Sequence, residues 1–248
     1  MRVLYWTDDN FVTKEYVRYL IETYSEIDGE ELIRVFLEHE MPGQFALVSS
    51  FGIEAAVLLH MVSRIDKNLP VIFIETQKLF DETVSYRDEL ADHLGLTDIR
   101  NITPSELDLR QEDKNGDLHK INPNQCCYIR KVLPLEKALE GFDGWISGRK
   151  RFHGGSRSNL PTIEMSDGRV KINPLAFWPV ARIQDYFNKY DLPRHPMQEK
   201  GYLSVGCQPC TSKPVSQEDV RSGRWVGQDK QECGIHLGTD GKFRKSKA

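Results

Sequence analysis

The 248-residue chain carries 33 Lys and Arg against 37 Asp and Glu, a formal charge of -4, with 39% hydrophobic and 28% charged residues. This is the balance of a soluble globular protein long enough to bury its own core; it argues against long-range disorder and removes the need for a disulfide framework. A net acidic chain has no global attraction to nucleic acid or anionic lipid, and its longest apolar runs, 55–59 and 69–74, fall far short of the ~18 residues that cross a bilayer.

Residues 1–11 include Asp8 and Asp9 and lack the apolar stretch of a signal peptide, so a cytoplasmic location is expected. In 13–40, Val17, Leu20, Ile21, Leu32, Ile33, Phe36 and Leu37 recur three or four apart, which predicts two amphipathic helices broken at Asp28-Gly29. From residue 45 strand and helix alternate. The reading is strand 45–49, helix 54–65, strand 71–75, helix 81–94, strand 98–102, a polar segment, a helix over about 127–139, and strand 145–147. Such alternation predicts an α/β fold with a mostly parallel, doubly wound sheet, its ligands sitting where strands end and helices begin. Residues 148–159 hold four basic residues around Gly154-Gly155 and read as a mobile loop. Segment 171–180 carries Pro174 and Pro179, 181–189 reads as a helix, and Pro, Gly and charge from His195 onward predict an extended tail. The expected division is a helical segment 1–40, an α/β domain 41–200 and a tail 201–248.

Ser49-Ser50-Phe51-Gly52-Ile53-Glu54 follows the first strand and opens the first helix, where backbone N–H groups and the helix dipole can face a phosphate or sulfate. No GK[ST] follows, so this is not a Walker A loop; the other reading is a tight turn with a serine N-cap. The five cysteines are Cys126 and Cys127 in tandem, Cys207 and Cys210 as a CxxC, and Cys233 alone. In a reducing compartment such a set serves more readily as ligand or catalyst than as bridge. Four thiolates suit Zn²⁺ or an iron–sulfur cluster, though ligands on successive residues weaken the zinc case. Buried free thiols or a redox CxxC are the alternatives without a metal. Cys126-Cys127 is expected at a helix start, with N–H groups facing cluster sulfurs.

Cys233 sits in Glu232-Cys233-Gly234-Ile235-His236, with Arg221 and Arg224 close in sequence, and reads as an activated nucleophile or an incidental surface thiol. Arg149-Lys150-Arg151, followed by Arg157, falls at the sheet's ligand edge and suits phosphate or sulfate oxygens; a short cluster in an acidic chain is a poor nucleic-acid patch. Lys131, four residues past Cys127, is expected one helical turn away on the same face, to neutralise nearby anions or else to stand exposed.

Together SSFGIE, ETQKLF, CCYIRK, SGRKR, GCQPC and ECGIH resemble the assimilatory adenosine 5′-phosphosulfate (APS) reductases over residues 45–238. These form the iron–sulfur branch of the phosphoadenosine phosphosulfate (PAPS) reductase family. The resemblance implies a PP-loop-type adenine-nucleotide fold and a [4Fe–4S] cluster on Cys126, Cys127, Cys207 and Cys210, with an electrostatic and structural part. It implies Cys233 as nucleophile with His236 and Lys131 beside it, and anion binding by Arg149, Arg151, Arg221 and Arg224. The implied nucleotide pocket comprises Ser49, Ser50, Phe51 and Gly52 with the segment holding Thr76, Leu79 and Phe80. Ala55 departs from the acidic residue that relatives often carry there.

The implied reaction passes through an S-sulfocysteine on Cys233, from which thioredoxin or a glutaredoxin-like dithiol releases sulfite. A homodimer or homotetramer is implied too. The nearest rival is a PAPS reductase, a branch that typically lacks the CC and CxxC. A PP-loop ATP-dependent adenylating or thiolating enzyme would want a glycine-richer SGGxD-type loop, and a zinc-binding module would leave ECGIH unexplained.

Overall fold

The computed structural model describes residues 12–214, 216, 219–228, 230 and 232–235. The Thr13 hydroxyl accepts the Tyr16 N–H at 3.1 Å and caps α1 (Lys14–Tyr24). Helix α2 (Gly29–Arg34) runs into a π-helical turn, Val35–Glu40. The apolar stripe of this pair is buried: Leu20, Leu32, Ile33 and Phe36 join the core that also contains Phe45, Leu47 and Val71.

The alternating region gives β1 (Phe45–Val48), α3 (Ala55–Ser63), β2 (Val71–Ile74), α4 (Asp81–Leu94) and β3 (Ile99–Ile102). The polar segment folds into α5 (Glu106–Glu112) and α6 (Leu118–Ile121). Then come α7 (Pro123–Cys127), a π-helical turn Tyr128–Val132, α8 (Leu133–Ala138) and β4 (Gly144–Ser147). Strands β5 (Ile163–Ser166) and β6 (Arg169–Ile172) precede α9 (Val180–Tyr190) and α10 (Pro196–Glu199). The six strands run in the order β3-β2-β1-β4-β6-β5, and β5 alone is antiparallel to its neighbour. Every residue of β2 and β4 is buried, as expected for parallel strands covered on both faces, while the edge strand β3 exposes Arg100 and Asn101. Because β1 pairs with β2 on one side and β4 on the other, the sheet has its switch point between β1 and β4, where such sheets open a ligand crevice.

Three expectations are corrected. The β5–β6 hairpin lies where the sequence reading had no strand; Asp167 and Gly168 turn it with φ of 51° and 74°. Segment 148–159 is not a bare loop: it forms two 3₁₀ turns, and Arg149, Lys150 and Arg157 are buried because Glu54, Glu164 and Glu232 pair with them. The helix expected over 127–139 is interrupted. Pro134 has no N–H for the turn before it, and the Leu133 N–H reaches back five residues to the Tyr128 carbonyl. Among the described residues no helix is long and apolar enough to cross a membrane.

Candidate active site

A cleft opens at the C-terminal ends of β1 and β4, and its walls come from four places in the sequence. The loop after β1 supplies Ser49, Ser50, Gly52 and Glu54, and the segment after β4 supplies Arg149, Lys150, His153 and Arg157. Lys131 enters from the π-helical turn, and Val205, Gly206, Arg221, Arg224, Glu232, Cys233 and Ile235 come from the tail. The sequence-expected Ser49, Ser50, Gly52, Lys131, Arg149, Arg221, Arg224 and Cys233 therefore meet in one place.

Other expected residues do not line it. Phe51 is fully buried against Phe73, its N–H bonded to the Ser49 hydroxyl at 3.1 Å, so it braces the loop from behind. The N-cap of α3 is Glu54, without a side-chain cap bond, rather than a serine. Arg151 is exposed; it donates to the Leu160 carbonyl at 2.8 Å and stacks on Phe177. Phe80 packs with Ile53 and Val205 beneath the loop, whereas Leu79 bridges to Cys207 and Thr76 lies 3.3 Å from the Cys207 sulfur. These three belong to the cleft's support and to the thiol group, because the chain after β2 turns toward the tail. His236 lies outside the described residues.

The polar wall is a connected network that sequence spacing did not reveal. Lys150 Nζ lies 2.9 Å from Glu54 and also donates to the Gly148 carbonyl. His153 donates from Nε2 to Glu54 at 3.0 Å and accepts from Arg157 at Nδ1, also at 3.0 Å, which fixes it as a neutral tautomer. Burial lowers the His153 pKa to about 4. Burial would raise the Glu54 pKa, but Lys150 and His153 outweigh it and hold the carboxyl at about 2. Arg157 pairs with Glu232 through Nε and through Nη2 at 2.9 Å, and Arg221 reaches the same carboxylate at 3.4 Å. Arg149 pairs with Glu164, which also accepts from Asn173 and lies 3.4 Å from Lys171. Burial lowers the pKa of Arg149, Lys171 (to about 8) and Arg221 (to about 10), and neighbouring cations add to the effect. Among the described residues, six cationic side chains and two carboxylates line the cleft, so it presents a surplus of positive charge.

The thiols assemble beside this wall. Asn122 caps α7 by accepting the Gln125 N–H, and Pro123 starts the helix, which ends on Cys126 and Cys127. The pair thus closes a short helix instead of opening one, and the Cys126 N–H is already bonded to the Asn122 carbonyl. Arg130, buried in an ion pair with Asp113 at 2.6 Å, donates to the Thr76 carbonyl at 2.8 Å and ties this segment to the end of β2. The CxxC forms a 3₁₀ turn, Gln208–Cys210. Arg224 binds the Val205 and Cys210 carbonyls and passes so close to Gly206 that a Cβ there would lie 2.3 Å from its guanidinium.

Cys126, Cys127 and Cys207 are buried and Cys210 half-buried. The charge of Cys207 bears on the other three. Burial raises Cys126 to about 11 and Cys127 to about 12. For Cys207 burial is outweighed by Lys131, and its thiolate is favoured. Lys131, in turn, is disfavoured as a cation by burial but raised by Cys207, Cys233 and Cys127. Its ammonium therefore interacts with thiols of both the four-thiol group and the cleft, which it lines with Cys233. Among the described residues no three His, Cys, Asp or Glu side chains are placed to hold a metal ion.

Residues 44–213 match the model of the phosphoadenosine phosphosulfate reductase domain. A Mesorhizobium japonicum protein named adenosine 5′-phosphosulfate reductase is 45% identical over 86% of this chain and 84% of its own length. One of the same name from Mycolicibacterium smegmatis is 35% identical over 93% and 99%. Among solved structures, phosphoadenylyl-sulfate reductase from Candida auris in a phosphate complex superposes with a TM-score of 0.67, at 27% identity over 81% of this chain and 98% of that one. Yeast FAD synthetase, at 16% identity and a TM-score of 0.51 over 81% and 75%, shares the fold.

Proposed function

The chain belongs to the phosphoadenosine phosphosulfate reductase domain family, and on that premise we propose that it reduces APS to sulfite and AMP in sulfate assimilation, with Cys233 as the nucleophile. The observation that carries this reading is the thiol of Cys233 in the switch-point cleft, which Lys131, Arg149 and Arg221 line with it. APS is an anion and so is a thiolate; their approach is repulsive unless fixed cations offset it. These three side chains and Arg224 do so, and the buried Arg149 Nε, without a partner among the described residues, leaves a donor for a substrate oxygen.

The chemistry proceeds in two steps. The Cys233 thiolate attacks the sulfur of APS; an S–S bond forms, the S–O bond to the phosphate breaks, and AMP leaves with the electron pair. A dithiol protein of the thioredoxin kind then attacks the Cys233 sulfur and expels sulfite with the bonding pair. Its second thiol resolves the mixed disulfide, so the dithiol is oxidised, the sulfonate is reduced to sulfite and the Cys233 thiol is restored.

Cys126, Cys127, Cys207 and Cys210 suit a [4Fe–4S] cluster by their chemistry: four thiols from two segments, near enough to bear on one another's charge, with the half-buried Lys131 in their neighbourhood. When bound, such a cluster supplies a compact charged group beside the substrate; Lys131 would hold its cation between that group and the sulfonate. An anaerobically purified preparation should contain about four iron and four sulfide per chain and turn over APS in preference to PAPS when a dithiol is present. A colourless but fully active protein would contradict the cluster, and preference for the 3′-phosphorylated nucleotide would contradict the substrate.

A further inference from the structure

We propose that Glu232 and Ile235 are positioning residues that hold Cys233 at the cleft from its two sides, one through charge and the other through apolar burial. The inference rests on Cys233 being the nucleophile. On one side, Glu232 receives Arg157 through two nitrogens and Arg221 through a third. Burial would raise its pKa, but Arg157 and Arg221 outweigh burial and keep it ionised. Arg157 is itself fixed, since its remaining Nη1 donates to His153, which is bound to Glu54 and through it to Lys150. The ionic anchor is thus continuous with the loop after β1. On the other side of Cys233, Ile235 packs against the apolar cluster that contains Leu135, Leu139 and Trp145. Between them Gly234 adopts φ 92°, a left-handed value that L side chains rarely take, and this turns the chain so that both neighbours can reach their partners.

Attack on the substrate demands a thiol held within a fraction of an ångström of its line of approach, whereas the second step demands that the same sulfur be reached by a protein. The two anchors meet the first demand by fixing Cys233, and the second demand requires that they yield.

The test compares full-length wild type with Glu232→Gln and Ile235→Ala. It reads alkylation of Cys233 by iodoacetamide, adduct formation on mixing with APS without reductant, and AMP affinity. Each variant should alkylate several-fold faster and form the adduct about 10- to 100-fold more slowly, the scale of one lost charge-assisted bond or buried side chain. AMP affinity of Glu232→Gln should equal or exceed that of wild type, because Arg157 and Arg221 lose a counter-charge, and Glu232→Asp should restore part of the adduct rate. Wild-type alkylation and adduct rates in both variants would overturn the positioning role while leaving the nucleophile intact. Failure of the wild-type enzyme itself to form the adduct would overturn the reading beneath it.

Discussion

Arg149 and Lys131 line the same cleft but stand in different electrostatic settings. Arg149 is buried beside Glu164, and Lys171 remains next to that carboxylate if the guanidinium is removed, so Arg149→Ala keeps a counter-charge in place. Its loss should weaken AMP binding by about 1.5–3 kcal/mol, the scale of a charge-assisted hydrogen bond, with a smaller effect on adduct formation at saturating APS. Lys131 is influenced by the thiols of Cys207, Cys127 and Cys233, and Lys131→Ala should slow adduct formation more than it weakens binding. Titration calorimetry with AMP and single-turnover rates with APS separate the two; small and equal effects from both would mean that the substrate's anions lie elsewhere. The sequence singled out both residues because each stood beside a recognisable motif. It did not single out Glu54, His153 or Arg130, whose roles depend on partners 99, 99 and 17 positions away. Arg151 failed for the complementary reason. One residue further along a 3₁₀ turn, its side chain leaves the cleft for Phe177.

At the scale of elements, β1 and β2 were legible because parallel strands buried on both faces read as unbroken apolar runs, whereas the edge strand β3 alternates apolar ends with exposed Arg100 and Asn101 and was legible from its place in the strand–helix alternation. The β5–β6 hairpin carried an Asp-Gly turn signal, but its strands include Glu164 and Lys171, and a buried ion pair hides the apolar alternation. The π-helical turn before Pro134 was invisible to spacing, yet it sets where Lys131 stands. Helix α10 shows what a buried polar group does for stability. His195, fully buried at its N-cap, accepts the Met197 N–H at 3.1 Å and lies 3.1 Å from the Thr83 hydroxyl on α4. Burial lowers its pKa to about 4, below the unfolded value of about 6.5. The unfolded chain therefore binds the proton first, and the stability this neutral histidine provides, present above pH ~6.5, is lost as pH falls toward 4. His153 has the same sign and window. Thermal midpoints measured from pH 7 to 4.5 should fall, and His195→Gln should flatten the fall by on the order of 2 kcal/mol at the acid end. A pH-independent midpoint would show that neither ring is held neutral.

For the molecule as a whole, the sheet's switch point joins two chemistries that the sequence lists far apart. Cys126-Cys127 and the CxxC meet because Arg130 pins the first to β2 and the Leu79–Cys207 bridge pins the second. Cys233 reaches the cleft because Glu232 finds an ionic partner and Ile235 an apolar one. The motifs were legible as motifs; the wall of paired charges between them became legible only in three dimensions. The central claim, that the Cys233 sulfur is the atom to which the sulfo group is transferred, is tested most directly by mass spectrometry of enzyme mixed with APS in the absence of reductant. Wild type should gain a single SO₃ group on the peptide carrying Glu232 and Cys233, release one AMP per active site and produce sulfite only when a dithiol is added. Cys233→Ser should keep its colour and bind the nucleotide yet gain no such group, since a hydroxyl is a far weaker nucleophile than a thiolate. Sulfite release by Cys233→Ser at the wild-type rate would contradict the account.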